Sequence, residues 1–240
     1  MTRGSDISGA EPPAGQPTER VLTGIAVLLT FASGASDVAS YTRLGGVFTS
    51  VMTGNMVVLG LSLARGSAVL ATHTVTSVAG YALGVVAGTR IAWYRAAGKT
   101  ARDDTWPPHI TLALLAEFVL VCGVAAGWEL TGSRPAGAVQ FIMLVIAAAA
   151  MGIQSSTVNQ MGLGNVSTTY LTGTLTGLVT VIARPDGTRP GLRRPGVLAG
   201  LLLGAVLAGV LVAFVPAAVP ALPLLTVGTA TALASGPLRR

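Results

Sequence analysis

Residues 44–65 read LGGVFTSVMTGNMVVLGLSLAR, and residues 163–184 read LGNVSTTYLTGTLTGLVTVIAR. At a constant offset of 119, nine of these 22 positions are identical, whereas chance in so biased a composition would give roughly two. A duplication of this length predicts a chain built from two similar halves. We place the halves at residues 21–131 and 132–236, between polar tails at residues 1–20 and 237–240.

Long apolar stretches surround the two copies. About half of the residues are apolar (51%) and only 10% are charged, a composition typical of proteins in the bilayer. A span needs roughly 20 largely uncharged residues, because hydrocarbon is about 30 Å thick. Six stretches qualify: Val21–Tyr41, Ala68–Ile91, His109–Leu130, Ala136–Met161, Pro195–Val215 and Ala217–Ser235. The sequence therefore predicts an all-α polytopic membrane bundle of about six transmembrane helices.

The repeated Thr/Gly-rich stretches, Val47–Ala64 and Val166–Ala183, are close to the minimum spanning length. Basic residues favour the cytoplasmic side of a membrane, and this rule decides how the two stretches lie. If the stretches enter and leave on one side, twelve Lys/Arg fall inside and only Arg43, Arg65 and Arg134 fall outside. We therefore interpret the stretches as re-entrant or broken helices, with both termini and the two most basic loops in the cytoplasm.

Each half then crosses the membrane three times, so the second half is inserted upside down relative to the first. This predicts inverted repeats, an architecture in which broken helices meet and form a polar site near the midplane. We expect the two Thr/Gly stretches to face each other there. The expected solute or ion site comprises nine residues: Asp37, Thr53, Gly54, Asn55, Gln154, Ser155, Thr172, Gly173 and Thr174.

Two more polar residues, Glu117 and Asn159, are weaker candidates for this site. Asp37 and Glu117 are acidic residues inside spans, where a charge costs about 3 kcal/mol and usually faces a cavity. If Asp37 binds a cation or proton, Asp37→Asn should abolish pH-dependent solute movement. Alternatively, Asp37 is interfacial, and the small residues of the Thr/Gly stretches simply let helices pack closely. The Gly80-Gly84-Gly88 and Gly200-Gly204 patterns are interpreted as packing faces.

Two segments, GASDVASYTRLGGVFTSVMTGNMVVLGLSLA and MGIQSSTVNQMGLGNVSTTYLTGTLTGL, resemble the YoaK family of bacterial membrane proteins, a domain of unknown function. The resemblance covers the chain from Val21 to the C-terminal region. It implies a bacterial inner-membrane protein of about six helices and supplies no substrate. The Pro-rich tail at residues 1–20 departs from the family pattern.

The sequence contains no motif of a known catalytic or metal site, and the lone Cys122 excludes a disulfide framework. We therefore predict no enzymatic activity and no cofactor. The basic residues that give the net charge of +6 lie at the ends of the apolar spans rather than on the face of a soluble domain. This distribution argues against nucleic acid as a partner. The expected partners are the lipid bilayer and a small molecule or ion. We predict a secondary transporter or facilitator for a small solute, with a midplane site between the inverted repeats. The alternatives are a noncatalytic membrane scaffold or partner-binding protein, and a passive channel.

Overall fold

A computed structural model describes residues 19–96, 107–161, 171–183 and 193–236 of the chain. These residues form eight α-helices and one 3-10 turn, Pro216–Ala218, and the described ranges contain no strand. The helices are α1 Glu19–Arg43, α2 Met52–Ala64, α3 Ala68–Ala96, α4 Pro108–Leu130, α5 Gly137–Gln160, α6 Leu171–Ile182, α7 Arg193–Phe214 and α8 Ala221–Ser235. Residues 1–18 of the N-terminal tail, the C-terminal tail and the basic loops at residues 97–106 and 184–192 lie outside the described residues, as do residues 162–170, which include the start of the second Thr/Gly stretch. The last two residues of the predicted N-terminal tail, Glu19 and Arg20, belong to α1.

Six of the helical segments are long and apolar enough to cross a membrane, and they coincide with the six predicted spans. The helices α2 and α6 have 13 and 12 residues, so each is only about 20 Å long, well short of the bilayer. The predicted all-helical bundle with six spans and two shorter apolar helices is confirmed. In the first copy the helix begins at Met52 instead of Val47, because residues 44–51 form an irregular segment.

Helices from one half pack mainly on helices from the other. The most extensive contacts join α3 to α5 and α1 to α7. In the repeat, α1 corresponds to α5 and α3 corresponds to α7. The contact of α3 with α5 is therefore equivalent to the contact of α7 with α1. The contacts of α4 with α5 and of α8 with α1 are related in the same way, and α4 also packs on α8.

Glycines permit both of the closest helix contacts. A Cβ on Gly84 of α3 would overlap the carbonyl oxygen of Ala149 on α5, and a Cβ on Gly204 of α7 would overlap that of Phe31 on α1. The prediction that these glycine patterns are packing faces is confirmed.

The partner helices contribute glycines of their own. A Cβ on Gly152 of α5 would overlap the carbonyl oxygen of Tyr81, and a Cβ on Gly34 of α1 would overlap that of Leu201. Gly152 lies 118 positions after Gly34, and Leu201 lies 120 positions after Tyr81, so the two contacts correspond in the repeat. Each half therefore supplies the same two glycine surfaces to the other.

Each short helix lies in a segment that begins and ends at the same end of the bundle. The Gln140 amide donates to the Arg43 carbonyl oxygen (2.9 Å), and its oxygen lies 3.2 Å from His73 Nε2. The last residue of α1 and the first turns of α3 are therefore neighbours. In the second half, Val158 of α5 and Val197 of α7 share one buried cluster with Ile25 of α1, at the opposite end.

Candidate functional site

The Asp37 carboxylate, almost fully buried on α1, holds the irregular segment before α2. Its Oδ1 accepts hydrogen bonds from the backbone N–H groups of Thr49 (2.7 Å) and Ser50 (2.8 Å) and from the Thr49 hydroxyl (3.0 Å). Its Oδ2 accepts one from the Ser50 hydroxyl (2.5 Å). We call Asp37, Thr49 and Ser50 the loop anchor. The carboxylate thus provides acceptors for two backbone N–H groups inside a membrane bundle, where lipid hydrocarbon offers none.

Asn55 fixes the same segment from the other side. Its Oδ1 accepts from the Phe48 N–H (2.9 Å), while its Nδ2 donates to the Phe48 carbonyl oxygen (2.7 Å). The Ser77 hydroxyl of α3 also donates to that carbonyl oxygen (2.5 Å). Asn55 therefore pairs with the backbone of Phe48 as a neighbouring strand would, and its amide is occupied by protein.

Gly54 and Gly173 both lie within regular helices, at the third residue of α2 and of α6. Neither has the left-handed backbone that glycine makes accessible; that conformation occurs at Gly45 (φ +100°) and Gly46 (φ +77°). Gly54 and Gly173 therefore provide no tight or unwound backbone within these helices.

The two short helices lie on different sides of the bundle. Helix α2 packs on α3 and α6 packs on α7, and no extensive contact joins α2 to α6 among their described residues. Thr53 and Thr172, at equivalent positions, are both exposed, as are Gly173 and most of the outward face of each helix. Thr174, which corresponds to Asn55, is buried. The expectation that the Thr/Gly stretches face each other is not met.

His73 has a structural environment at the Arg43 end of the bundle. Its Nδ1 lies 2.8 Å from the Val69 carbonyl oxygen, its ring stacks on Phe141, and Gly45 lies directly against the ring. With Gln140 on Nε2, both ring nitrogens have partners. The side chain closes the junction between α3, α5 and the irregular segment.

A second group of polar side chains lies deeper, where α1, α4 and α5 meet. The Gln154 amide of α5 donates to the Ser33 hydroxyl (2.7 Å) and to the Leu29 carbonyl oxygen (3.2 Å) of α1, and all of Gln154 and Ser33 is buried. Glu117 of α4 is also completely buried. We call Ser33, Glu117 and Gln154 the central polar layer.

Packing on either side of Glu117 places it at the level of Gln154. One turn toward the Arg43 end, Val121 packs with Met151 of α5, and one turn the other way Leu114 shares a cluster with Val158. Residue 117 on α4 therefore lies level with residues 154–155 on this antiparallel neighbour. Both Glu117 carboxyl oxygens are buried and accept no hydrogen bond within the described part of the chain.

A small apolar cleft of about 40 Å³ lies between α1, α4, α5 and the start of α8. Its lining includes Ala35, Ala39, Val121, Trp128, Met151 and Pro220. Val121 and Met151 lie one turn from Glu117 and Gln154, so the cleft ends next to the central polar layer. The described residues contain no group of three or more His, Cys, Asp or Glu side chains that could hold a metal ion.

The candidate residues thus fall into separate places. Asp37 and Asn55 belong to the irregular segment, Gln154 and Glu117 to the central polar layer, and Thr53, Thr172, Gly173 and Thr174 to the outer short helices. Ser155 is half-buried on α5, and Asn159 is exposed near the end of that helix. Sequence reasoning missed Ser33, although the spacing of Thr30, Ser33, Asp37 and Ser40 on α1, every three or four residues, marks a buried polar stripe.

Comparison with known sequences places this arrangement in a family. The profile described as a protein of unknown function (DUF1275) matches residues 25–233, which include all eight helices at least in part. The chain belongs to this family. A relative is the UPF0700 transmembrane protein YoaK of Bacillus subtilis (strain 168), which is 35% identical over 156 residues. That alignment covers 63% of this chain and 63% of YoaK, and no solved structure matches. These matches confirm the resemblance to the YoaK family. They also confirm the prediction that the chain is a multi-pass membrane protein.

Proposed function

We propose that this protein is a secondary transporter or facilitator for a small solute, with its site at the central polar layer between two inverted halves. The observation that carries the proposal is the fully buried Glu117 carboxyl, level with Gln154 of the neighbouring helix, in the interior of a membrane bundle. Ionisable side chains inside membrane helices are costly, and where they occur they mark solute, ion or proton pathways.

The packing between halves supports an inverted relation. The segment that contains α2 begins and ends at one end of the bundle, and the segment that contains α6 begins and ends at the other. The glycine contacts of α1 with α7 correspond to those of α5 with α3. Transporters of this architecture bind solute where the repeats meet and expose that site to each side in turn. The layer lies on helices of both halves.

A scaffold would require a stable interior and a contact surface, and a buried carboxyl without a partner adds nothing to either. An open channel is disfavoured because Glu117 and Gln154 are completely buried. The apolar lining of the cleft favours a solute with apolar surface, whose polar group would reach the layer.

A solute screen tests the proposal. We expect members of one class among small carboxylates, amines, amino acids and alcohols to raise the melting temperature of the detergent-solubilised protein and to enter proteoliposomes. Ala39→Leu, which fills the cleft, should abolish both effects. Ala87→Leu is the matched control, because Ala87 is exposed on α3 outside the cleft. Failure of every class, or unchanged flux in Ala39→Leu, would contradict the proposal and favour a scaffold.

The proposed orientation places both termini and the two basic loops in the cytoplasm. In a Cys122→Ala background, cysteines at positions 99 and 189 should resist an impermeant maleimide applied to sealed cells. A cysteine at Arg134, in the loop predicted to lie outside, should be labelled. Strong labelling at positions 99 and 189 with none at 134 would reverse the topology.

A further inference from the structure

Glu117 differs from the other buried acidic residue in how its carboxyl is surrounded. Asp37 accepts four hydrogen bonds, two of them from backbone N–H groups, and these donors favour a carboxylate. Glu117 is completely buried, yet neither of its oxygens has a hydrogen-bond partner among the described residues. The two side chains therefore occupy opposite kinds of environment within one bundle.

The helices around Glu117 bring no counter-charge to it. Neither α5 nor α8 contains an ionisable residue, and the α8 residue level with Glu117 is near Gly228, whose position is fixed by its contact with Phe118. On α1 the nearest ionisable group is Asp37, which is engaged in the loop anchor. On α3, Arg90 lies close to this level, because Gly88 lies against Ser156 of α5, but the Arg90 side chain is exposed. The other described ionisable side chains on the packed helices are Arg20, Tyr41 and Arg43 on α1, His73, Tyr81 and Tyr94 on α3, and His109, Cys122 and Glu129 on α4.

An ionised carboxylate without a donor or a cation is among the most costly groups to bury, whereas a protonated carboxyl is neutral. The packing around Glu117 thus accommodates the acid form. Ionisation requires water, and the cleft offers one route for it, since the lining residues Val121 and Met151 lie one turn away.

We propose that Glu117 is the proton-binding site of this protein, protonated in the closed packing seen here and deprotonated when the central polar layer opens to water. The step is a simple dissociation: the O–H bond of the carboxyl breaks, its electrons remain on the carboxylate, and the proton passes to water. The use of this proton to drive solute movement rests on the proposed function, but proton binding itself does not.

Infrared spectroscopy of the reconstituted protein tests the site directly. At neutral pH we expect the carbonyl stretch of a protonated carboxyl in the wild type, lost in Glu117→Gln and retained in Glu129→Gln. Glu129 is the matched control because it lies on the same helix but is exposed. A band that persists in Glu117→Gln, or no such band in the wild type, would overturn the proposal.

A second measurement needs no variant. Apolar carbodiimides modify protonated carboxyls in the membrane, so mass spectrometry of the labelled wild type should find the adduct at Glu117 and not at Glu129. If sodium ions at constant pH protect Glu117 from the carbodiimide, the residue binds a metal cation, and the proposal that it is a proton site is overturned. If Glu117 is protonated but the protein moves no solute, the proton-binding proposal is supported and only the proposed transport function is contradicted.

Discussion

Asp37→Asn is expected to destabilise the protein by about 3 kcal/mol or more, because hydrogen bonds to charged groups contribute about 1.5–3 kcal/mol each. The replacement turns one of two acceptor oxygens into an amide donor. With the amide oxygen in the place of Oδ1, the two N–H groups and the Thr49 hydroxyl would donate to a neutral acceptor instead of a charged one. The new amide donor would meet the Ser50 hydroxyl, which now donates to Oδ2 and would have to turn. The irregular segment before α2 should lose its anchor.

Unfolding in mixed micelles of mild and denaturing detergent measures the change. Cysteines placed at Thr49 and Ser50 should become reactive in the Asp37→Asn background while remaining protected in the wild type. Glu117→Gln serves as the control, since the neutral amide replaces a carboxyl that has no hydrogen bond to lose, and its stability should be unchanged or higher. Normal stability of Asp37→Asn together with loss of pH-dependent transport would instead restore Asp37 as the ion site.

The spans and the duplication were predictable because they depend on composition and spacing alone. About 20 apolar residues must form a helix in hydrocarbon, whatever their neighbours are. The beginning of α2 was misplaced because residues 47–51 are as apolar as the helix itself. What keeps them irregular is the Asp37 carboxylate, twelve or thirteen positions away, and the pairing of Asn55 with Phe48.

The placement of α2 and α6 could not be read in the same way. In a soluble protein an apolar face predicts burial, but lipid is as apolar as a helix interface, so the pattern does not separate the two. Thr53 and Thr172 are exposed, whereas Asn55 and Thr174, two residues later, are buried against their own halves. Only the long-range contacts of α2 with α3 and of α6 with α7 decide the arrangement.

The candidate site shows a similar division between residue type and role. Asp37, Asn55, Gln154 and Glu117 were all expected to matter because polar groups in hydrocarbon are rare and costly. Their roles depend on their hydrogen-bond partners. Asp37 is bonded to Thr49 and Ser50, and Asn55 is bonded to Phe48. The carboxyl of Glu117 has no hydrogen bond among the described residues. A sequence identifies which side chains are polar but does not show which donors reach them.

Gly204→Leu is expected to prevent stable packing of α7 on α1, with a loss at or above the upper end of the about 1–3 kcal/mol typical of overpacking. Even one added carbon would overlap the Phe31 carbonyl oxygen, and backbone cannot move aside as a flexible side chain can. Gly209→Leu is a matched control on the same helix, since no atom lies within 4 Å of a Cβ built there. That variant should stay within about 0.5 kcal/mol of the wild type.

The correspondence between the halves makes the same experiment sharper. Gly84→Leu, with the Ala149 carbonyl oxygen as its obstacle, should cost about as much as Gly204→Leu because the two glycines occupy equivalent positions in the repeat. Gly60→Leu on α2, where a Cβ meets nothing within 4 Å, should be tolerated. Comparison of the four variants by unfolding in mixed micelles tests whether the halves pack alike. A large loss of stability for Gly84→Leu with none for Gly204→Leu would show that the contact between α1 and α7 contributes little to stability. That result would contradict the conclusion that the two halves pack alike.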